Sequence, residues 1–376
     1  MPFSEFLGHE RIVTVLRGML ASGRVPHALL FSGPRGVGKF TLARMFAQAV
    51  NCERLRDDFC GQCDTCRRIA GLADLGPLIE AGLTERGANP DPATVERVPL
   101  LLETHPDVWA AVPDPVRLRN PVVRPLLRMG QLRAIQRAAN FKPVARRRVF
   151  LLDGAETMRF DLAGIFLKIL EEPPETSTLI LLTTNANLLE STIRSRCMQF
   201  FFAPLETKLV EEILRQRTRL KPAERRQAAQ LAEGSPGAAL ALNVEEAAEL
   251  RRRALQLLAD AAEARSSAGL FAQTAQLAKG QKLPFESVLE LFYSLLTDLL
   301  ELSAGCANLK LRNPTLAKEL AALGKRVDPQ WVSRAVEGLD ELWSRLRRNI
   351  NRQLGLDAVV LSLSQQRESG HRSPAR

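Results

Sequence analysis

Gly33-Pro34-Arg35-Gly36-Val37-Gly38-Lys39-Phe40 decides how the rest of the chain is read. It fits the phosphate-binding loop G-x-x-x-x-G-K-[ST] at every position but the last. The apolar run Ala28-Leu29-Leu30-Phe31 before it predicts a buried strand, and residues 39–50, with Leu42, Phe46 and Val50 on one face, predict a helix. In that setting Gly33, Gly36 and Gly38 let backbone amides curl around a phosphate. Lys39 reaches its outer oxygens, and the helix N-terminus adds partial positive charge. Phe40 replaces the hydroxyl that ligates Mg²⁺. Thr41 is a poor substitute, because the next helical residue projects about 100° away.

A second apolar strand, Val149-Phe150-Leu151-Leu152, ends in Asp153 and is followed by Gly154, Ala155 and Glu156. The metal-side Asp of a nucleotide site is therefore in place, while the water-activating position holds Gly154 and Glu156 comes two residues late. A third strand is predicted over 178–182, with a helix from Leu162 to Glu172 before it, stopped by Pro173-Pro174. Buried strands alternating with helices predict an α/β fold with a parallel sheet covered on both faces. The turn-rich stretch 73–104 breaks the pattern and is read as an inserted loop region. After Pro204 the remainder reads as helices, including an amphipathic run of Phe285, Val288, Leu289, Phe292, Leu295, Leu296 and Leu299. The expected organisation is a P-loop core over 1–205, a small helical lid over 206–244, a helical domain over 245–365 and a disordered tail over 366–376.

The chain has 376 residues, 45% hydrophobic and 25% charged, and a mean hydropathy of −0.09. These values exclude wholesale disorder and an integral membrane protein. With no apolar run long enough for a membrane helix and no basic leader before an apolar segment, the expected location is the cytoplasm. The net charge is +10. Arg117, Arg119, Arg124, Arg128, Arg133, Arg137, Lys142, Arg146, Arg147 and Arg148 form a block without an acidic residue, suited to a phosphate backbone, to an acidic partner subunit or simply to a solvated face. Four of the six cysteines, Cys52, Cys60, Cys63 and Cys66, crowd together, a spacing that predicts one closed, structural zinc site over 52–66. Such a site contributes on the order of 10 kcal/mol to local folding. Cys197 and Cys306 read as core thiols, and His27 and His105 as ordinary packing or hydrogen-bonding residues. His105-Pro106-Asp107 also matches the J-domain tripeptide, but it lacks the two-helix setting which that motif needs.

Taken together these residues resemble the AAA+ clamp-loader subunits of bacterial DNA polymerase III, most nearly the delta-prime branch. The resemblance is carried by Leu7-Gly8-His9-Glu10, Pro26-His27-Ala28-Leu29-Leu30, the cysteine cluster, His105-Pro106-Asp107, the run from Leu167 to Pro174 with its Glu171-Glu172-Pro173-Pro174, the run from Ser191 to Cys197, and the run from Asn349 to Asp357. It implies that Arg196 of Ser195-Arg196-Cys197 enters a neighbouring subunit's ATP site as an arginine finger, a contribution of roughly 10³-fold or more in rate. It places Thr183, Thr184 and Asn185 at the first sensor. It also implies an Arg in the second-sensor segment, where this chain has Gly234-Ser235-Pro236-Gly237. The implied partners are gamma/tau and delta subunits, the β sliding clamp and primer-template DNA, with Arg133 and Arg137 candidates for the DNA path. ATP with Mg²⁺ is expected to bind weakly, at Gly33, Gly36, Gly38, Lys39, Thr41, Asp153 and Thr184, and the chain is expected to have no ATPase activity of its own. A working gamma/tau-like ATPase and a zinc-bearing P-loop protein of DNA repair are the alternatives.

Overall fold

The computed structural model describes residues 2–87, 90–115, 125–158, 160–263, 266–278, 285–305, 311–346 and 351–370. The described chain divides into two compact units, Met1–Arg219 with Gly234–Leu240, and Leu220–Glu233 with Ala241–Arg376. The first contains α1 (Glu10–Ser22), β1 (Ala28–Ser32), α2 (Lys39–Asn51), α3 (Asp64–Ala70), α4 (Gly76–Arg86), α5 (Pro92–Arg97), β2 (Leu101–His105), β3 (Val108–Ala111) and α6 (Met129–Ala139). It continues through β4 (Arg148–Leu152), α7 (Phe160–Glu171), β5 (Ser177–Thr183), α8 (Ser191–Arg194), β6 (Met198–Phe201) and α9 (Thr207–Arg217).

Six strands form one sheet in the order β2-β3-β4-β5-β1-β6. The three strands expected from the sequence are its central members, and their alternating residues separate onto two cores. Leu29 and Phe31 of β1, Val149 and Leu151 of β4, and Ile180 and Leu182 of β5 pack in one core with Leu16, Leu42 and Phe46. Ala28 and Leu30, Phe150 and Leu152, and Leu179 and Leu181 pack in the other with Ile135, Phe166 and Ile193. Helices cover both faces, so each central strand reads as an unbroken apolar run.

Two expectations need correction. The sheet is not wholly parallel: β2 runs antiparallel to β3, whereas β3-β4, β4-β5, β5-β1 and β1-β6 are parallel. Residues 73–104 are not a loop region, because α4, α5 and β2 occupy most of that stretch. Pro77 and Pro92, which contribute to the turn-rich composition of this stretch, lie in the first turns of α4 and α5, where the missing proline N–H costs no helical bond.

The chain crosses into the second unit with α10 (Pro222–Leu231), returns for α11 (Pro236–Ala241), and then builds α12 (Val244–Ala262), α13 (Ser267–Ala278), α14 (Phe285–Ser303), α15 (Ala317–Gly324), α16 (Pro329–Leu346) and α17 (Arg352–Gly370). Phe285, Val288, Leu289, Phe292, Leu295, Leu296 and Leu299 of α14 all lie in the core of this unit. There Asp298 accepts hydrogen bonds from the amides of Arg312 and Asn313, each at 2.8 Å, so the buried carboxylate is satisfied. α17 extends to Gly370, into the stretch expected to lack structure, and 371–376 lie outside the described residues.

Candidate nucleotide, metal and finger sites

β1 delivers the chain to the phosphate-binding loop at the end of the central parallel pair, and α2 starts on Lys39. Gly33, Gly36 and Gly38 all have φ in the left-handed region, at 148°, 75° and 109°. A Cβ on Gly33 would sit 2.2 Å from the Phe202 carbonyl oxygen, so no other residue fits there. The loop is gripped by its acceptors. Lys39 Nζ donates to the carbonyls of Gly33 at 2.6 Å and Pro34 at 2.7 Å. The Ser235 hydroxyl donates to Arg35 O at 2.7 Å, the Gly237 amide to Gly36 O at 2.8 Å, and His9 Nε2 lies 3.3 Å from Val37 O. Two of the three Lys39 donors are thereby committed to its own loop.

Phe40 is half-buried and packs against the apolar core, so no hydroxyl stands at the head of α2. Thr41 follows on the next residue of the helix, turned about 100° away. At the end of β4, burial raises the Asp153 carboxyl above its ordinary range, and Lys39 pulls against that rise. Burial likewise lowers the Lys39 amine, with Asp153 and Glu156 resisting. Gly154 has φ 64°, and a Cβ there would meet Pro113 Cγ at 2.7 Å. The position expected to activate water therefore has no room for a glutamate. Glu156 does come into the site, but its Oε1 accepts from the Thr184 hydroxyl at 2.6 Å and the Thr184 amide at 3.3 Å. Thr184, expected at the first sensor, is thus bound to a carboxylate of its own chain.

The expected finger lies just past α8, a single turn. Arg196 is partly exposed, and its Nη2 donates to Glu171 Oε1 at 2.8 Å while Nη1 donates to Thr192 O at 2.9 Å. Cys197 behind it is buried, which pushes its thiol up to about 12.

The four clustered cysteines come together, with their sulfurs all within 4.8 Å of one another. Tetrahedral ligation at about 2.3 Å would hold sulfurs about 3.8 Å apart, so the set fits a soft divalent metal. Backbone amides already point at the sulfurs: Leu55 N and Cys60 N donate to Cys52 Sγ, Cys63 N to Cys60 Sγ and Cys66 N to Cys63 Sγ, at 3.3 to 3.4 Å. Burial tends to raise the Cys60 thiol, but the amides of Gln62 and Cys63 and the neighbouring thiols outweigh it and bring it down to about 6. Burial pushes the Cys66 thiol the other way. Four thiolates this close need a cation to ionise together. Cys306 lies outside the described residues.

Among the described residues the basic block does not form one face. Arg117, Arg119 and Arg124 lie outside the described residues. Arg147 bonds Thr178 Oγ1 and Ser177 O, Arg148 bonds Phe141 O and Pro106 O, and Arg146 reaches Leu55 O beside the cysteine cluster. Arg133 and Arg137 are exposed, four residues apart on α6, and Lys142 is exposed beyond them.

Several residues have structural tasks that their sequence motifs do not disclose. His105-Pro106-Asp107 is an anchor: Asp107 accepts from the amides of Val144 and Ala145, at 3.0 and 2.6 Å, and its own amide donates to His105 Nδ1 at 3.1 Å. Asn51 Oδ1 takes the next two amides, Arg146 and Arg147, at 3.1 and 2.9 Å. Ser235 and Gly237 hold the phosphate loop from a segment noted only for its missing arginine. Glu171 appeared only as part of a resemblance motif, with no signal in the sequence that it meets Arg196.

Residues 8–206 match a family described as DNA polymerase III, delta subunit, and residues 245–365 one described as DNA polymerase III, delta subunit, C terminal. Among curated proteins the chain is similar to DNA polymerase III subunit tau of Escherichia coli, 32% identical over 214 residues, 56% of this chain and 27% of that one. It is similar also to subunit tau/gamma of Haemophilus influenzae, 31% identical over 214 residues, 56% of this chain and 25% of the relative. The match spans about a quarter of the length of these relatives. A solved gamma subunit-related protein of DNA polymerase III from Thermotoga maritima aligns at TM-score 0.37 and 14% identity, over 96% of this chain and 99% of that one.

Proposed function

This chain belongs to the DNA polymerase III delta-subunit family of clamp-loader proteins, and from that premise we propose that it is a delta-prime-like stator. In this reading it hydrolyses no ATP itself and extends Arg196 into the ATP site of a neighbouring gamma/tau subunit. The observation that carries the reading is Gly154, which has a left-handed backbone and no space beside Pro113 where a hydrolytic site needs its acid. Phe40 and the engagement of Glu156 by Thr184 support it. A guanidinium suits the donated role because its planar fork stays charged and grips two oxygens at once. The three-part division into core, lid over 206–244 and collar over 245–365 belongs to the same proposal.

The partners proposed are gamma/tau and delta subunits, the β sliding clamp through the assembled loader, and primer-template DNA near Arg133 and Arg137, in the cytoplasm. Among the described residues no helix is long and apolar enough to cross a membrane. Zinc is the metal proposed for Cys52, Cys60, Cys63 and Cys66, where it would cross-link the loop before α3 and take no part in chemistry. Any ATP held by Gly33, Gly36, Gly38, Lys39, Thr41, Asp153 and Thr184 would be bound without turnover.

A gamma/tau-like motor is the second reading, favoured by the names of the curated relatives. Reconstitution with cognate gamma/tau and delta subunits separates the two. With wild type replaced by Arg196→Ala, the complex is expected to assemble but to lose DNA-stimulated ATPase and clamp loading. The isolated chain is expected to show no Mg²⁺-dependent turnover. Robust turnover by the isolated chain, with Arg196→Ala silent in the complex, assigns the motor instead.

A further inference from the structure

We propose that Glu171 is a parking partner for Arg196, a positioning residue that holds the finger folded against its own subunit until a neighbour's phosphate takes the guanidinium away. This rests on the finger reading above.

Both terminal nitrogens of Arg196 are occupied within the subunit, Nη2 by Glu171 Oε1 at 2.8 Å and Nη1 by Thr192 O at 2.9 Å. A phosphate needs that same pair of donors, because two-point recognition of its oxygens uses the planar fork. Engagement and parking are therefore competing states of one side chain. Electrostatics adds a second reason for exchange. A carboxylate in direct contact with the guanidinium neutralises it, and as a like charge it opposes anionic phosphate oxygens brought to the same fork. An arginine that keeps Glu171 is a weak finger, and one that leaves it is a strong one.

The placement of Glu171 also argues that its task is not to stabilise its helix. It is the last residue of α7, where the helix dipole disfavours an anion. The contrast with Arg194 is informative: that side chain, on the same turn, meets the neutral amide oxygen of Asn187 at 2.8 Å. Of the two arginines in the motif, the finger is the one paired with a carboxylate. The pair is open to water, at 36% and 52% side-chain exposure, so the bond is weak enough to exchange. Exposed pairs of this kind bias an equilibrium by about two- to fivefold.

The test is steady-state ATPase without DNA, measured on the complex reconstituted from the full chain with cognate gamma/tau and delta subunits. Wild type is compared with Glu171→Gln, Glu171→Asp, Arg196→Ala and the Glu171→Gln/Arg196→Ala pair. Assembly of each is followed by gel filtration. Glu171→Gln is expected to raise the rate about two- to fivefold, through kcat with KM unchanged. Added salt is expected to narrow that ratio by screening the wild-type pair, which a merely structural role would not do. Glu171→Asp, which keeps the charge on a shorter arm, is expected between the two, and the double variant at the level of Arg196→Ala. An unchanged or lower rate in Glu171→Gln, with Arg196→Ala still defective, overturns the parking role and leaves the finger. Arg196→Ala at the wild-type rate overturns the finger and parking together.

Discussion

The hydroxyl of Ser235 donates to the carbonyl of Arg35 at 2.7 Å across a sequence separation of 200 residues. With Lys39, His9 and Gly237 it completes a set in which each carbonyl from Gly33 to Val37 has a partner. Lys39 supplies two of those partners from within the loop, and the other three, on Arg35, Gly36 and Val37, are imposed from outside it. Ser235→Ala is expected to cost about 1 kcal/mol in denaturant unfolding and to speed hydrogen exchange at the amides of residues 35–38. Gly237→Ala should cost more, about 1–3 kcal/mol, because its Cβ would come within 2.9 Å of Gly36 Cα. Gly164→Ala is the control: nothing lies within 4 Å of its Cβ position on α7, and it should be neutral or stabilising by about 0.5–1 kcal/mol.

Restoring the lost hydroxyl does not restore a motor. Phe40→Thr is expected to leave the isolated chain without measurable Mg²⁺-dependent ATPase, because Gly154 offers no acid. Adding Gly154→Glu places a side chain against Pro113 on a left-handed backbone, with an expected loss of about 2 kcal/mol or more. Turnover in either variant would show that the site retains a catalytic arrangement.

Metal removal should be felt beyond the cysteines. Asn51 precedes Cys52 and holds the amides of Arg146 and Arg147, while Arg146 Nη1 donates to Leu55 O at 3.2 Å. Chelation at neutral pH is expected to raise hydrogen exchange in residues 52–63 and also in 144–148, leaving β5 protected. Exchange confined to the cysteine loop would show that the two segments are not coupled.

The reach of sequence reading follows from how local each signal is. The central strands were legible because β1, β4 and β5 are buried on both faces and each carries at least four consecutive apolar residues. The edge strands were not: β6 exposes Met198 and Phe201, and β2 carries Glu103 and His105, so neither shows a clean run. The cysteine cluster was legible because four ligands lie within one short segment. Arg196 was visible through its motif, but Glu171, Ser235 and Asp107 act across 25, 200 and 37 or more residues. No periodicity connects such pairs; only the completed sheet brings them together.

The segment misread as a loop is held by a buried ion pair. Arg86, the last residue of α4, donates from Nη1 to Asp114 Oδ2 at 2.7 Å, with side-chain exposures of 1% and 0%. Its Nε also donates to Val98 O at 2.6 Å. Asp114→Ala leaves that guanidinium buried without its counter-charge and should cost about 3–5 kcal/mol. The Arg86→Met/Asp114→Leu pair should recover most of the loss, measured by urea unfolding. A single variant as stable as wild type would mean that the pair contributes little to docking α4.

Cys197 makes stability depend on alkaline pH. Burial raises its thiol from an ordinary value near 9.0 to about 12 in the folded chain. Above pH 9.0 the unfolded thiol ionises while the folded one stays protonated. A raised folded value therefore favours folding fully below pH 9.0, and that contribution is lost as pH climbs toward 12. Within that window each pH unit should cost about 1.4 kcal/mol from this group alone. Cys197→Ala removes the group, so its stability should fall less steeply than wild type between pH 9 and 11, even though the cavity it leaves lowers the starting value. The measurement is the difference between the two unfolding curves at each pH, which cancels the lysines and Tyr293 common to both. The same protonation should keep Cys197 unmodified by thiol reagents at pH 8 until the chain unfolds. Parallel curves, or ready modification of the native chain, would place the thiol in contact with water.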